Sequence, residues 1–176
     1  MLLSGAQGRP RQHTGRTGGG VDVEAVDEAP AVLQELPRER LSGPLHPDLE
    51  GTVRTNFDLG DYETACFAAM KAVEVAVRDA AGLDNSLVGV KLMREAFRPH
   101  ENGKTGGALA DAEAEGGEQA ATANLFAGAM GAYKNPASHR TVDFDDPIEA
   151  AEIIQFADLL LRQVERAKRR QTVSTA

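Results

Sequence analysis

From Leu45 onward the chain keeps one period: apolar residues return at three- and four-residue spacing between explicit start and stop signals. Such a stretch can bury a stripe as a helix and has no matching solution as a strand. The last such segment is the clearest. Asp146 stands as N-cap, Pro147 at the first helical position and Glu149 where it completes a capping box, after which Ile153, Ile154, Ala157, Leu160, Leu161 and Val164 form one seam. Four further helices are expected before it. The first covers 47–59, with Leu49, Val53 and Phe57 on one face, His46 as candidate cap and Gly60 as stop. Asp61 caps the second, over 62–82, which sets Cys66, Met70, Val73, Val77 and Ala80 along one stripe and Lys71, Glu74 and Arg78 along another. A third spans 87–98, with Leu92, Met93, Ala96 and Phe97 inward and Pro99 ending it.

The fourth helix is expected over 119–133, with Ala121, Leu125, Phe126, Ala129, Met130 and Tyr133 inward and Gly128 and Gly131 embedded. An internal glycine costs roughly 1 kcal/mol of helix propensity relative to alanine, so the pair points to a close contact near the helix end. A neighbouring helix, a ligand or a second subunit would each supply it. No segment alternates as a strand would, and no repeat recurs at a fixed period. The expected fold is all-α, an antiparallel bundle of four to five helices over 44–172. Residues 1–43, Gly/Arg-rich and then acidic with scattered prolines, read as a flexible tail with one short helix near 31–36, and 173–176 as a disordered C-terminus.

Composition narrows the function. Aromatics are 5% of the chain and Trp is absent, so the core must be built from Ala, Leu, Val, Ile and Met. A net charge of -8 opposes non-specific attraction to a polyanion, and the cations near the C-terminus (Arg162, Arg166, Lys168, Arg169, Arg170) read first as complements of a helix dipole. The single Cys66 rules out an intramolecular disulfide and a cysteine-rich zinc site, and fits a reduced, cytoplasmic setting. No apolar run approaches the roughly 20 residues that span a bilayer, and the N-terminus lacks a signal-peptide core. Four scattered histidines without paired Cys or carboxylate spacing make no metal site, and no cofactor is expected. The tripeptide Gly103-Lys104-Thr105 looks like the tail of a phosphate-binding loop, but Arg98 stands where the first glycine is needed and no strand precedes it. His100, in the same loop, stands near Lys104 but reads first as solvated.

The stretch AYKNPASHR, 132–140, is the candidate site. Asn135 before Pro136 is pushed out of the helical region, so the helix is expected to finish near Lys134. Lys134 and His139 then lie five positions apart. A histidine can pass a proton near neutral pH, and a neighbouring cation can stabilise charge building on a phosphate, a pairing suited to cleavage of RNA by its own 2′-hydroxyl. On residues alone the same stretch also serves as a turn that fixes the bundle. Lys71 with Glu74, and Glu74 with Arg78, read as ordinary surface pairs.

From LHPDLEGTVRTNFDLGDYETACFAAMKAVEVAVRDAAGL through LMREAF to LFAGAMGAYKNPASHR, and on into the helix opened by Asp146-Pro147, the chain resembles the Ymh family of prokaryotic conserved hypothetical proteins. That family in turn resembles the wider HEPN superfamily of all-helical domains. Many of these are metal-independent ribonucleases of toxin-antitoxin, abortive-infection and phage-defence systems, with a motif of Arg, commonly Asn, and His. The resemblance implies His139 as the proton-transfer residue, Asn135 as its hydrogen-bonding neighbour and Lys134 as the phosphate clamp. Lys134 departs from the motif arginine: it keeps the charge but not the bidentate grip. Tyr133, Arg140, Glu74 and Lys71 are implied as substrate-binding candidates. RNA as substrate or ligand, a homodimer bringing two motifs to one cleft through the Gly128/Gly131 surface, and an antitoxin or defence-system partner are implied with them. The reading that stands beside it is a non-catalytic helical module binding RNA or protein.

Overall fold

The fold is that of a computed structural model, which describes residues 39–101, 103–136 and 146–174. The tail, His139 and Arg140 lie outside the described residues. Every regular element among those described is helical, and the one β-type pairing among the described residues is an isolated bridge between Glu101 and Lys104. All five expected helices are present, the first in two pieces.

Those pieces are α1, Pro47–Glu50, and α2, Thr52–Asp58, broken at Gly51, whose ψ of -103° leaves the helical region. His46 caps α1 as expected, its Nδ1 accepting from the Asp48 N–H at 3.3 Å. Its own N–H donates to Asp158 Oδ1 at 2.5 Å, fastening the start of the domain to the last helix. Gly60, at φ 80°, makes the left-handed turn that ends α2. The next helix, α3, covers Tyr62–Ala81; Asp61 accepts from the Thr64 N–H, and Gly82 closes it in the left-handed conformation. Of its inward stripe, Cys66, Met70, Val73 and Val77 are fully enclosed and Ala80, near the helix end, is half-buried.

α4, Gly89–Ala96, is shorter than its periodic pattern at both ends, because Gly89 enters at φ 55° and Phe97 leaves the helical region. The loop after it is built on two glycines. A Cβ on Gly107 would meet the Glu95 and Ala96 carbonyls at 2.2 and 2.4 Å, and one on Gly106 would meet the Arg98 carbonyl and the His100 ring at 2.6 Å. Without those carbons the loop backbone lies against the end of α4, where the Gly107 and Leu109 N–H groups satisfy the Arg98 and Ala96 carbonyls. These glycines close a helix rather than cradle a phosphate. Buried Gln119 locks the far side of the loop, accepting from His100 N and donating to the Ala114 carbonyl.

α5, Gly116–Ala129, runs directly into a π-helical turn, Met130–Lys134, and α6 covers Pro147–Ser174. Here two expectations are corrected. Ala121 and Leu125 face solvent, and the buried stripe is Ala123, Phe126, Ala127, Ala129 and Met130, anchored where Phe126 stacks on Phe97 at 4.1 Å between centroids. Alanine and glycine are accepted on either face, so an alanine-rich helix leaves its orientation to its few large side chains. The second correction is at Asn135, which stays helical (φ -63°, ψ -43°) although proline follows. The helix has widened here: the Asn135 N–H bonds back five residues to Met130 rather than four. Asp146 caps α6 by accepting from the Ile148 N–H at 2.8 Å. α3 and α6 share the most extensive packing in the domain, and the π turn packs on α3, α4 and α5. No described helix is long and apolar enough to cross a membrane.

Candidate functional site

The buried acid Glu74 organises the candidate site. It sits in the middle of α3, 6% exposed, on the side that meets α4 and the π turn. Arg78, one turn further along α3, donates from Nη2 to Glu74 Oε1 at 2.9 Å and to the Leu87 carbonyl at 3.1 Å. The Gly89 N–H donates to Glu74 Oε2 at 3.0 Å, and Lys134 Nζ lies 3.3 Å from the same oxygen. One carboxylate thus joins α3, the start of α4 and the end of the α5 unit. The reading of Glu74 and Arg78 as a surface pair is corrected: the pairing is real, and it is interior. Lys71, three residues earlier, lies on the exposed side of α3 and is not among Glu74's partners.

Burial alone would push the Glu74 carboxyl up, but the Arg78 hydrogen bond, the Gly89 N–H and Lys134 together hold it below the ordinary glutamate range. It is therefore an anion at neutral pH, surrounded by two cations whose side chains are 12% and 18% exposed. Arg78 Nε is buried without a hydrogen-bond partner, so Glu74 and the Leu87 carbonyl are what hold the guanidinium. Lys134 also lies 5.9 Å from the centre of the Phe67 ring, close enough for a cation–π contact on its apolar side.

The π turn places the motif residues. Adding one residue to the last turn rotates Lys134 toward Glu74 and keeps Asn135 in helical register beside Gly89, where a Cβ would stand 3.2 Å from Asn135 Oδ1. Gly89 is thus required twice, for its positive φ and for its proximity to Asn135. Tyr133 is half-buried with its ring edge-on to Phe156 at 6.2 Å, the packed reading rather than an open base-stacking platform. A Cβ on Gly131 would stand at ordinary contact distance, 3.7 Å, from Val90, and one on Gly128 would meet nothing within 4 Å; Gly128 faces solvent beside Leu125. Neither position is therefore closed to a side chain by a near neighbour within the chain.

The structure brings Lys134, Asn135 and Glu74 together and adds Arg78 and Gly89, which the sequence did not single out for the site. Glu74 and Arg78 at four-residue spacing look the same on an outer face, and only the arrival of the π turn distinguishes them. Among the described residues no group of three His, Cys, Asp or Glu side chains is placed to hold a metal ion. A family model described as "Protein of unknown function (Hypoth_ymh)" matches residues 43–164. No curated protein and no solved structure matches the chain.

Proposed function

The chain belongs to the Ymh family, and on that premise we propose that it is an endoribonuclease-type domain of the HEPN kind, serving a prokaryotic defence or toxin system. The reaction is attack of an RNA 2′-hydroxyl on the adjacent phosphate, giving a 2′,3′-cyclic phosphate and a free 5′-hydroxyl. His139 moves the proton, Lys134 stabilises the charge that develops on the phosphate and Asn135 orients its neighbours, so the chemistry calls for no metal. Arg140 flanks the substrate, and two copies of the chain supply the two halves of the cleft.

The observation that supports this reading most is the ion network around Glu74. A lysine at the end of a helix is ordinarily mobile, whereas Lys134 is aimed by a buried carboxylate that Arg78 and a backbone N–H hold ionised. Such an arrangement keeps the cation positioned, which a phosphate clamp requires. Incubation of end-labelled total RNA with the protein and its His139→Ala variant, in chelator, tests the proposal. Cleavage that leaves cyclic-phosphate ends and is lost in the folded variant is the expected result.

One observation favours the second reading, a non-catalytic module that binds RNA or a partner protein. Lys134 is already engaged by Glu74, and that bond alone would explain a lysine here as a fastener between α3 and the π turn. Under that reading neither protein cleaves RNA, and Lys134→Gln changes stability alone.

A further inference from the structure

Between α5 and α6, against the loop that follows α4, lies a cavity of about 240 Å³. It is far from the candidate site: Glu118, on its lining, precedes Lys134 by 16 residues of a continuous helical run, about 24 Å at 1.5 Å per residue. Its floor is apolar, because Phe97, Leu109 and Ala167 line it and none is more than 3% exposed. Around that floor stand polar side chains from both helices. Glu118 and Thr122 lie one turn apart on α5, and Gln163 and Arg166 one turn apart on α6. Among the described residues, none of these four side chains makes a hydrogen bond or an ion pair. Thr122 and Gln163 are half-buried even so. The other charges on the lining cancel, since Asp111 and Arg170 are paired with each other at 3.3 Å. Gln119 is already engaged by His100 N and the Ala114 carbonyl. The cavity therefore offers a ligand one anion, one cation, an amide and a hydroxyl above a hydrocarbon floor.

We propose that this cavity binds a small zwitterion, an aliphatic α-amino acid. The Arg166 guanidinium takes the carboxylate in its fork, and the Gln163 amide one turn away donates to the same group. Glu118 holds the ammonium, which also donates to the Thr122 hydroxyl oxygen. The aliphatic side chain covers Phe97, Leu109 and Ala167. The opposite signs on the two helices decide the ligand class. A simple anion would meet Glu118 unpaired, a simple cation would meet Arg166, and an uncharged apolar molecule would take water from both without pairing either. Size agrees with charge. Drug-sized ligands occupy pockets of about 300–1,000 Å³, so a slightly smaller cavity suits a single amino acid rather than a nucleotide. The inference does not rest on the ribonuclease reading, which concerns the other end of α5.

The test records amide spectra of the full chain while L-valine, L-leucine or L-methionine is added to millimolar concentration. Saturable shifts confined to the lining, over 109–122 and 163–170, are expected from at least one of the three. Isocaproate and isoamylamine, which are leucine without its ammonium and without its carboxylate, should bind at least about tenfold more weakly, the worth of one charge-assisted hydrogen bond. Glu118→Gln and Arg166→Gln should each weaken the amino acid by a similar factor. Both residues are exposed, and unchanged signals from the rest of the domain show that each variant is folded. No saturable shift with any of the three, shifts away from the lining, equal binding of the carboxylate or the amine alone, or binding that survives both substitutions would each overturn the proposal.

Discussion

Replacing Glu74 with glutamine isolates the charge at the centre of the site. The amide keeps nearly the same shape and still accepts one hydrogen bond, but it leaves Arg78 and Lys134 as two cations without their counter-ion in a space where the Glu74 side chain is 8% exposed. Exposed pairs contribute about 0–1 kcal/mol, whereas removing one partner of a buried pair costs about 3–5 kcal/mol. Because Lys134 is 18% exposed and retains some access to water, the lower end of that range applies, about 3 kcal/mol. Urea unfolding monitored by circular dichroism should show this as a lowered midpoint with an unchanged slope. Adding Lys134→Met should restore part of the loss, since one orphaned cation is then removed. The pH dependence has a defined sign. Glu74 is held below its ordinary pKa of 4.5 in the folded chain, so its contribution is present above that value and disappears as pH falls through the folded pKa. The gap between wild type and variant should therefore close in acid. A loss below about 1 kcal/mol at neutral pH, the range of exposed pairs, or a gap that persists in acid, would refute the interior ion network.

Three further outcomes follow from the same geometry. Gly89→Ala should cost more than Gly82→Ala in the same unfolding assay: both sit at positive φ, with strain of about 1–2 kcal/mol, but only at Gly89 would the new carbon press on Asn135, 3.2 Å away. Gly107→Ala should cost at least about 2 kcal/mol and expose Leu109, because the added carbon would stand 2.2 Å from a backbone oxygen; amide exchange at Leu109 reads this directly. Cys66 should resist thiol reagents in the folded protein. Burial pushes its thiol from 9.0 up to about 12, so its contribution to stability should be constant below pH 9.0 and fall toward pH 12, a component missing from Cys66→Ala.

Much of the fold was legible because its signals are local. Asp61, Gly82, Asp146 and Pro147 mark helix ends through capping chemistry that acts within one turn, and the stripes of α2, α3 and α4 are set by large apolar side chains. What escaped the sequence depends on contacts across the chain. Leu125 faces outward because Phe126, stacked on Phe97, decides how an alanine-rich helix turns. Asn135-Pro136 signals a helix stop, yet the π turn carries the helix through it, a backbone adjustment that no residue type announces. At the site, Lys134 and Asn135 were readable as a motif, while the burial of Glu74, the role of Arg78 and the need for a glycine at 89 arise only once three helices meet.

Under the proposed reaction, RNA is cut by its own 2′-hydroxyl at a phosphate held by Lys134. Once total RNA has revealed a cut position, the decisive substrate is a synthetic oligonucleotide spanning it, all-ribose or with one 2′-deoxy residue at the cut. The expected result is cleavage of the all-ribose strand to a 2′,3′-cyclic phosphate, no cleavage of the deoxy-substituted strand, and loss of activity in folded Lys134→Gln. Cleavage that persists in the deoxy strand or in the lysine variant would contradict it.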